Sequence, residues 1–521
     1  STVEHMLSDE TALRIAGDAT IGDTLEAIAF NALPAALTKN LRQHVYYTLP
    51  NNVTAHRAHL GFTQDYDDAR TPSPRSGYPC CAYNLHMGWP KLAQNSWAAT
   101  QDNGLAVLTY VPSQVTSTVG DGASVSFIAE TNYPFEEGIR LKLQAPREVR
   151  FPLALRIPTW CGKPSVQVNG QAHKATPGQF ATINRMWKNG DEVTLRFPMS
   201  VRLVPGVNAS RAVWHGPLLY SLKIAENWQP FTTKDREGGP DFESFEVLPA
   251  SPWNYGLANA FSVERRAMPQ NPYEPDKTPV QLKAQARRIA DWTLDAEAKR
   301  SLDPPVSPVA SGAPLEMITL VPSGSQMLRV VNFPMLGTAR PLTQEFQDDF
   351  PGRDFSNWVT YGGGWLVRDH QFGPSPDAPG SHAVATLTRL RDFVYEATVT
   401  PGEADNAGLS FRVSKPTIGA DAYDGYYFGL FTTKNRVELG KAAGKYTVLK
   451  TAPLPLTPER AYQVRIEARG SQIRVFVDNM VLPIIEASDA SFTEGSIGVR
   501  QYGGIAEKAQ ATFARIKVTA L

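Results

Sequence analysis

Cys80 and Cys81 stand side by side in a chain of 521 residues that has only one further cysteine, Cys161. Adjacent thiols cannot staple distant segments together as a disulfide framework does. Two neighbouring sulfurs can hold a soft metal ion, or one of them can act as a thiolate nucleophile. They can also simply pack as small apolar side chains. The residues alone leave structural burial and a metal or catalytic role open for Cys80 and Cys81. Cys161, beside Trp160 at the end of a strand-like run, reads as core. Around the pair, His44, His56, His59 and His86 are candidates to contact a hydroxylated ligand or to serve as ordinary surface and cap residues. Asn84 is expected to bond the local backbone at a helix start, and Trp89 and Trp97 to pack in the core.

Helices must position these residues. The pair follows a loop marked by Pro72, Pro74, Gly77 and Pro79, and a helix is expected from about residue 82 to 97 with a kink at Pro90. Leu25, Ile28, Ala29, Ala32, Leu33, Ala36 and Leu37 follow the i, i+3, i+4, i+7 rule of a second helix. Thr20 and Asp23 have the spacing to cap its start, and Pro34 should kink or end it. Val3, Met6, Leu7 and Leu13 form a partial stripe near the first residue. Three helices with wide apolar faces need partners.

From Gly104 the apolar period changes from 3.6 to 2. Short runs at 105–111, 124–128, 140–143, 151–157, 165–168 and 193–197 are separated by turn signals, among them Asn169-Gly170 and Asn189-Gly190. This spacing predicts a β-sandwich. Val280, Leu282, Ala284 and Ala286 alternate as one face of a strand, and the Pro-rich stretches 269–279 and 304–314 read as covering loops. A new unit begins near Phe346, with strands expected at 393–399, 408–413, 426–431, 462–468, 473–477 and 496–500. It resembles a concanavalin-type or laminin-G-type jelly roll like the carbohydrate-binding modules appended to many glycosidases. Trp358, Tyr361, Trp365, Tyr423, Tyr426, Tyr427 and Tyr502 are its candidates for stacking on sugar, two or three of them at most, with Arg412 a candidate to bond sugar hydroxyls or pair with an acid.

The segment Tyr78-Pro79-Cys80-Cys81-Ala82-Tyr83-Asn84-Leu85 resembles the Cys-Cys-x-x-Asn motif of glycoside hydrolase family 127, the β-L-arabinofuranosidases and their relatives. The likeness continues in order on both sides. It runs through Ile28-Ala29-Phe30-Asn31-Ala32-Leu33-Pro34-Ala35, Tyr46-Tyr47-Thr48-Leu49-Pro50 and Asp102-Asn103-Gly104-Leu105. It goes on through Leu155-Arg156-Ile157-Pro158-Thr159-Trp160, Val168-Asn169-Gly170, Trp187-Lys188-Asn189-Gly190-Asp191 and Gly216-Pro217-Leu218-Leu219-Tyr220, covering residues 1 to about 340. The resemblance implies a multidomain, mainly β chain: late helices of an (α/α)6 barrel at 1–100, a β-sandwich at 101–225, a second sandwich or continuation at 226–342, and the jelly roll at 343–521. It further implies that Cys80 is nucleophile and zinc ligand, that Cys81 is a zinc ligand, and that Tyr47 approaches the sugar. In the family the zinc set is completed by a Glu-x-Cys pair, and the acid/base is a glutamate upstream of it. Carried over, these would lie before Ser1, which makes the chain catalytically incomplete unless an N-terminal barrel segment, missing here or on a separate chain, supplies them.

Composition fits a globular protein: 42% apolar, 20% charged, 51 basic against 51 acidic residues. Nothing in that balance asks for nucleic acid or an anionic membrane. No phosphate loop, His-Glu-x-x-His motif or Gly-x-Ser-x-Gly elbow is present. Two functions follow. One is a zinc-dependent retaining exo-glycosidase acting on a plant-type oligosaccharide or polysaccharide, periplasmic or secreted from a bacterium. The other is a non-catalytic carbohydrate-binding protein with a structural cysteine pair.

Overall fold

The computed structural model describes residues 2–58, 66–236, 238–294, 301, 303–338, 343–352, 355, 357–362, 364–374, 380–385, 387–403, 406–417, 419–503 and 510–521. They form a multidomain, mainly β architecture. Helices are confined to the first hundred residues, apart from single 3-10 turns. Thr2–Ala16 packs against both Ile21–Ala27 and Gly88–Gln94, burying Val3, Met6 and Leu13.

The second helix ends at Ala35, one residue past Pro34. Ile21–Ala27 widens into a π-turn, Ile28–Ala32, before a last short turn, Leu33–Ala35. Leu33 N–H bonds the Ile28 carbonyl, and Pro34 has no N–H to give. The carbonyls of Ala29 and Phe30 are therefore released from the helix. Trp89 Nε1 donates to the first at 3.0 Å and the Tyr273 hydroxyl to the second at 2.8 Å. Trp89 thus packs where the sequence put it. The expected cap at Thr20 does not form: its hydroxyl donates to Asp18 (2.7 Å), and Asp23 is engaged elsewhere.

Asp23 and Glu26 reach from that helix into the β-structure. Arg156, fully buried, donates to Asp23 at 2.9 Å and to Glu26, and Tyr133 donates to the other Glu26 oxygen at 2.7 Å. Asp23 also accepts from Thr159. Gly22 has no side chain because Arg156 occupies the space, with Cδ only 2.5 Å from where a Cβ would sit. A second tie runs through Asn31, whose amide donates to the Pro217 carbonyl (2.9 Å) and accepts from Leu219 N–H (2.7 Å). Helices and sandwich consequently share one apolar core.

That sandwich has a four-stranded sheet, Phe180–Trp187, Val149–Arg156, Leu105–Val107 and Trp97–Ala99 in order, facing a six-stranded one that runs from Ser113–Val119 to Gln171–His173. Phe127, Phe151 and Trp187 meet between them. Asn169 and Gly170, both at positive φ, turn Ser165–Val168 into its neighbour as the sequence predicts, while the Asn169 amide donates to Asp191 at 2.8 Å. Trp97 opens a strand rather than ending a helix. It stacks on Phe127. A seven-stranded sheet follows, from Val201–Pro205 through Val280–Arg288 to Asn332–Phe333, so the expected division at 225 falls between strands of one sheet. Val280, Leu282, Ala284 and Ala286 form its buried face, as read.

One element is anticipated by no sequence signal. Glu226–Thr233 and Phe242–Pro249 form a long hairpin separate from that sheet. It lies on the segment before the cysteine pair through Ala55 and Val247 (2.9 and 2.7 Å) and Phe245 N–H to the Pro72 carbonyl (2.9 Å).

From Glu345 the chain forms a jelly roll of an eight-stranded and a seven-stranded sheet around its own core. Its first strand, Glu345–Asp348, pairs with its last, Thr512–Ala520. On the outer face of the seven-stranded sheet His382 is buried, stacked on Tyr361 (4.9 Å) and flanked by Tyr423. Burial, helped by the Arg500 guanidinium, pushes its imidazole down to about 3. The unfolded imidazole titrates near 6.5 and the folded one well below, so the unfolded chain binds the extra proton first. Stability contributed by neutral His382 is complete above about pH 6.5 and is lost progressively as pH falls toward the folded value. Scanning calorimetry between pH 7 and 4 should show an acid-sensitive transition that His382→Gln flattens.

Candidate active site

Pro79 and Cys80 open a short helix, Pro79–Leu85, with Tyr78 as its extended N-cap residue. Proline suits this first turn because the N–H it lacks would be unbonded there anyway. The helix ends at His86, and Gly88–Gln94 begins a separate one with Pro90 in its own first turn. The single kinked helix expected over 82–97 is thus two helices. Cys80 is exposed and Cys81 partly buried, while Cys161 is fully buried as read. The Asn84 amide donates to the Cys80 carbonyl at 3.0 Å, fixing the turn that carries both thiols.

The phenol beside the Cys80 and Cys81 sulfurs belongs to Tyr46, the neighbour of the expected Tyr47. The two rings pack edge to face at 4.7 Å. Tyr46 is held by its N–H to Ser76 Oγ (3.1 Å) and by Gly77 at φ +60°, where a Cβ would lie 2.8 Å from the tyrosine side chain. Gly77 was the available signal, a glycine in a loop that must close on a ring. Burial and the adjacent sulfurs push the Tyr46 phenol up to about 12, and burial with the Cys80 sulfur pushes the Cys81 thiol up to about 11. Without a cation beside it, Cys81 is therefore a neutral thiol at pH 7.

Zinc takes sulfur readily and favours four ligands. The donor type at Cys80 and Cys81 fits. The donor number does not, because no group of three or more His, Cys, Asp or Glu side chains converges here or elsewhere among the described residues. His44 is buried, with its backbone paired to Ser73; His56 is buried as well; His86 is exposed at the helix end. His59 lies outside the described residues.

Beside the thiols the hairpin tip contributes groups that sequence reading missed. Arg75 pairs with Asp235 and donates to the Tyr83 hydroxyl at 3.0 Å. Arg236 pairs with Asp68 (2.7 Å), donates to the Gly77 carbonyl (2.9 Å) and lies 3.8 Å over the Tyr66 ring. An apolar cavity lies elsewhere. It holds about 460 Å³ among Trp89, Tyr133, Trp228 and Tyr273 and does not include either cysteine.

In the jelly roll three of the expected sugar platforms are core. Trp358 and Trp365 are buried among Phe350 and Phe372, and Tyr426 stacks on Phe411. Arg412 is buried and donates to the carbonyls of Arg391 and Phe492. Tyr427 and Tyr502 instead surround Arg500, whose guanidinium lies 4.2 and 5.9 Å from their ring centres and 2.8 Å from Asp421. Tyr361 and Tyr423 flank His382 on the same face.

Residues 104–199 match the family model described as "Beta-L-arabinofuranosidase, GH127 middle domain". This stretch is similar to a GH127 middle domain. The cysteine pair lies ahead of it in the chain. Residues 345–519 match a second model, the "3-keto-alpha-glucoside-1,2-lyase-like domain". A solved GH127 β-L-arabinofuranosidase from Geobacillus stearothermophilus T6 is similar over 64% of this chain and 49% of its own, with 21% identity and a TM-score of 0.46. The chain thus spans about half the length of that relative. The carbohydrate-binding module CBM66 from Bacillus subtilis is similar to 31% of this chain over 95% of its own length, at 23% identity and a TM-score of 0.28. A levanase of Bacillus subtilis (strain 168) is 25% identical over 157 residues, 29% of this chain and 22% of that protein. With the GH127 middle domain and the jelly-roll unit, the comparisons bear out the resemblance read from the sequence. No helix among the described residues is long and apolar enough to cross a membrane.

Proposed function

We propose that the protein is a retaining exo-glycosidase of β-L-arabinofuranosidase type whose nucleophile is Cys80. The observation that carries this reading is an exposed thiol at the first turn of a helix, next to Cys81 and beside the Tyr46 phenol, in a chain whose residues 104–199 match the GH127 middle-domain model. The Cys80 sulfur bonds the anomeric carbon as the bond to the leaving oxygen breaks, and a carboxylic acid, which the family resemblance places in a barrel segment and not among the residues described beside Cys80, gives that oxygen its proton. Water, deprotonated by the same carboxylate, then displaces the sulfur, so the configuration is retained. Tyr46 stands beside the thiol, and Tyr47 packs on Tyr46 beside the sugar's approach.

Cys80 and Cys81 would hold a zinc ion, with its remaining positions filled from outside the described residues. Bound there, zinc supplies stabilisation of sulfur as its anion, which a free thiol of pKa about 8.5 lacks at neutral pH. Metal analysis of the purified protein tests this part. The expected stoichiometry is one zinc per chain, lost in Cys81→Ser and on chelation; full zinc retention in Cys80→Ser/Cys81→Ser would refute it.

The jelly roll serves as a carbohydrate-binding module, with the face around Arg500 and Tyr502 toward the ligand. Plant-type oligosaccharide or polysaccharide is the substrate class, and a periplasmic or secreted bacterial location suits a protein that meets such polymers.

A further inference from the structure

We propose that the tip of the hairpin and the loop ahead of Cys80 form a second saccharide subsite, which takes the neutral sugar ring on the leaving-group side of the thiol. The inference rests on the reading of Cys80 as the reacting group. A cavity of about 240 Å³ lies between the loop residues Tyr66, Arg75 and Tyr78 and the hairpin residues Asp235, Arg236 and Phe242. Tyr78 is two residues before Cys80, and Tyr83, which accepts from Arg75, is three after it. The cavity therefore borders the turn that carries the nucleophile. Its volume lies below the roughly 300–1,000 Å³ of a drug-sized pocket, which suits one ring rather than a polymer chain.

Charge decides the ligand's class. Arg75 is paired with Asp235, Arg236 with Asp68, and the neighbouring Lys234 with Asp241. Each cation of the wall already has a carboxylate, so a charged ligand would have to break a pair to gain one. A neutral polyol does not. Guanidinium and carboxylate groups fixed by each other offer spare donors and acceptors to adjacent hydroxyls. Tyr66, Tyr78 and Phe242 add ring surfaces for the apolar face of a sugar, with Tyr66 and Tyr78 4.7 Å apart and Arg236 backing Tyr66. The hairpin is held in place independently by its pairing to Ala55 and Pro72.

The side of the thiol follows from the lining: the cavity borders the turn of Cys80 but is not lined by Cys80 itself. It therefore takes a ring other than the one whose anomeric carbon meets the sulfur, and for a nucleophile that attacks a terminal sugar that ring is on the leaving-group side. The subsite would make the protein prefer a disaccharide over a simple glycoside through binding of the second ring.

Isothermal titration on the Cys80→Ala protein, which cannot turn substrate over, separates this from the catalytic reading. The probes are a β-L-arabinofuranosyl disaccharide and methyl β-L-arabinofuranoside. The expected result is about tenfold tighter binding of the disaccharide, with that preference lost in Tyr66→Ala and in Phe242→Ala while the affinity for the methyl glycoside stays the same. Phe242→Ala leaves the buried Asp68 ion pair intact, and circular dichroism confirms that both variants fold. Equal affinity for the two probes, binding of neither, or a preference that survives both substitutions overturns the subsite. A preference that behaves as expected in a protein whose Cys80→Ser variant still hydrolyses aryl glycosides supports the subsite while sinking the role given to Cys80.

Discussion

In a protein completed by the barrel segment that carries the acid/base, Cys80→Ser removes hydrolysis of an aryl β-L-arabinofuranoside by roughly a thousandfold or more, since a serine hydroxyl is a far poorer nucleophile than a thiolate sulfur. The loss should fall on kcat, with binding of the substrate little changed. Trapping gives a second readout: a mechanism-based arabinofuranosyl inhibitor should add its mass to the peptide containing Cys80 in the wild-type protein and to no peptide in the variant. Turnover that persists at the wild-type rate in Cys80→Ser, or a label on another residue, sinks the mechanism. Tyr46→Phe, which keeps the ring and deletes the hydroxyl beside the thiol, is expected to cost far less than the loss of the sulfur itself.

The largest effect on stability is expected at Arg156. Arg156→Met leaves Glu26 sealed in the core with no counter-charge and orphans the carbonyl of Leu108, which the guanidinium now bonds at 2.6 Å. Breaking a buried pair from one side costs about 3–5 kcal/mol. Removing both members together is much cheaper, because no isolated charge remains. Urea unfolding followed by tryptophan fluorescence should therefore place Arg156→Met well below the double variant Glu26→Leu/Arg156→Met. Equal destabilisation of the two would mean that packing around Gly22, rather than charge, is what the arginine supplies. Because this pair joins the helix to the sandwich, the single variant is also expected to loosen the loop and helix that carry the thiols.

The run of landmarks that made the sequence legible turns out to mark joints rather than chemistry. Arg156 and Thr159 meet Asp23, Asn31 meets Pro217 and Leu219, and Asn169 meets Asp191. Such residues are specific because they satisfy buried polar groups between segments far apart in the chain. Alternation revealed most strands with one wet face, and a buried alternating set identified Val280–Arg288 despite its helix-favouring composition. Asp23 shows where local reading failed: a residue at capping distance from Thr20 is claimed by a guanidinium 133 positions away. The hairpin was missed because Glu226–Thr233 buries neither face fully and contains Pro230, so its strand character comes from its partner. Aromatics in the jelly roll could not be sorted by type. Only register places Tyr426 inside and Tyr427, its neighbour, on the opposite face beside Arg500.

The antiparallel pairing of Glu345–Asp348 with Thr512–Ala520 sets residue 345 opposite residue 519. Tension drawn between those two points would part the ladder rung by rung, as a zipper opens, instead of loading all its hydrogen bonds at once. Single-molecule pulling from these two positions should accordingly record a low unfolding force.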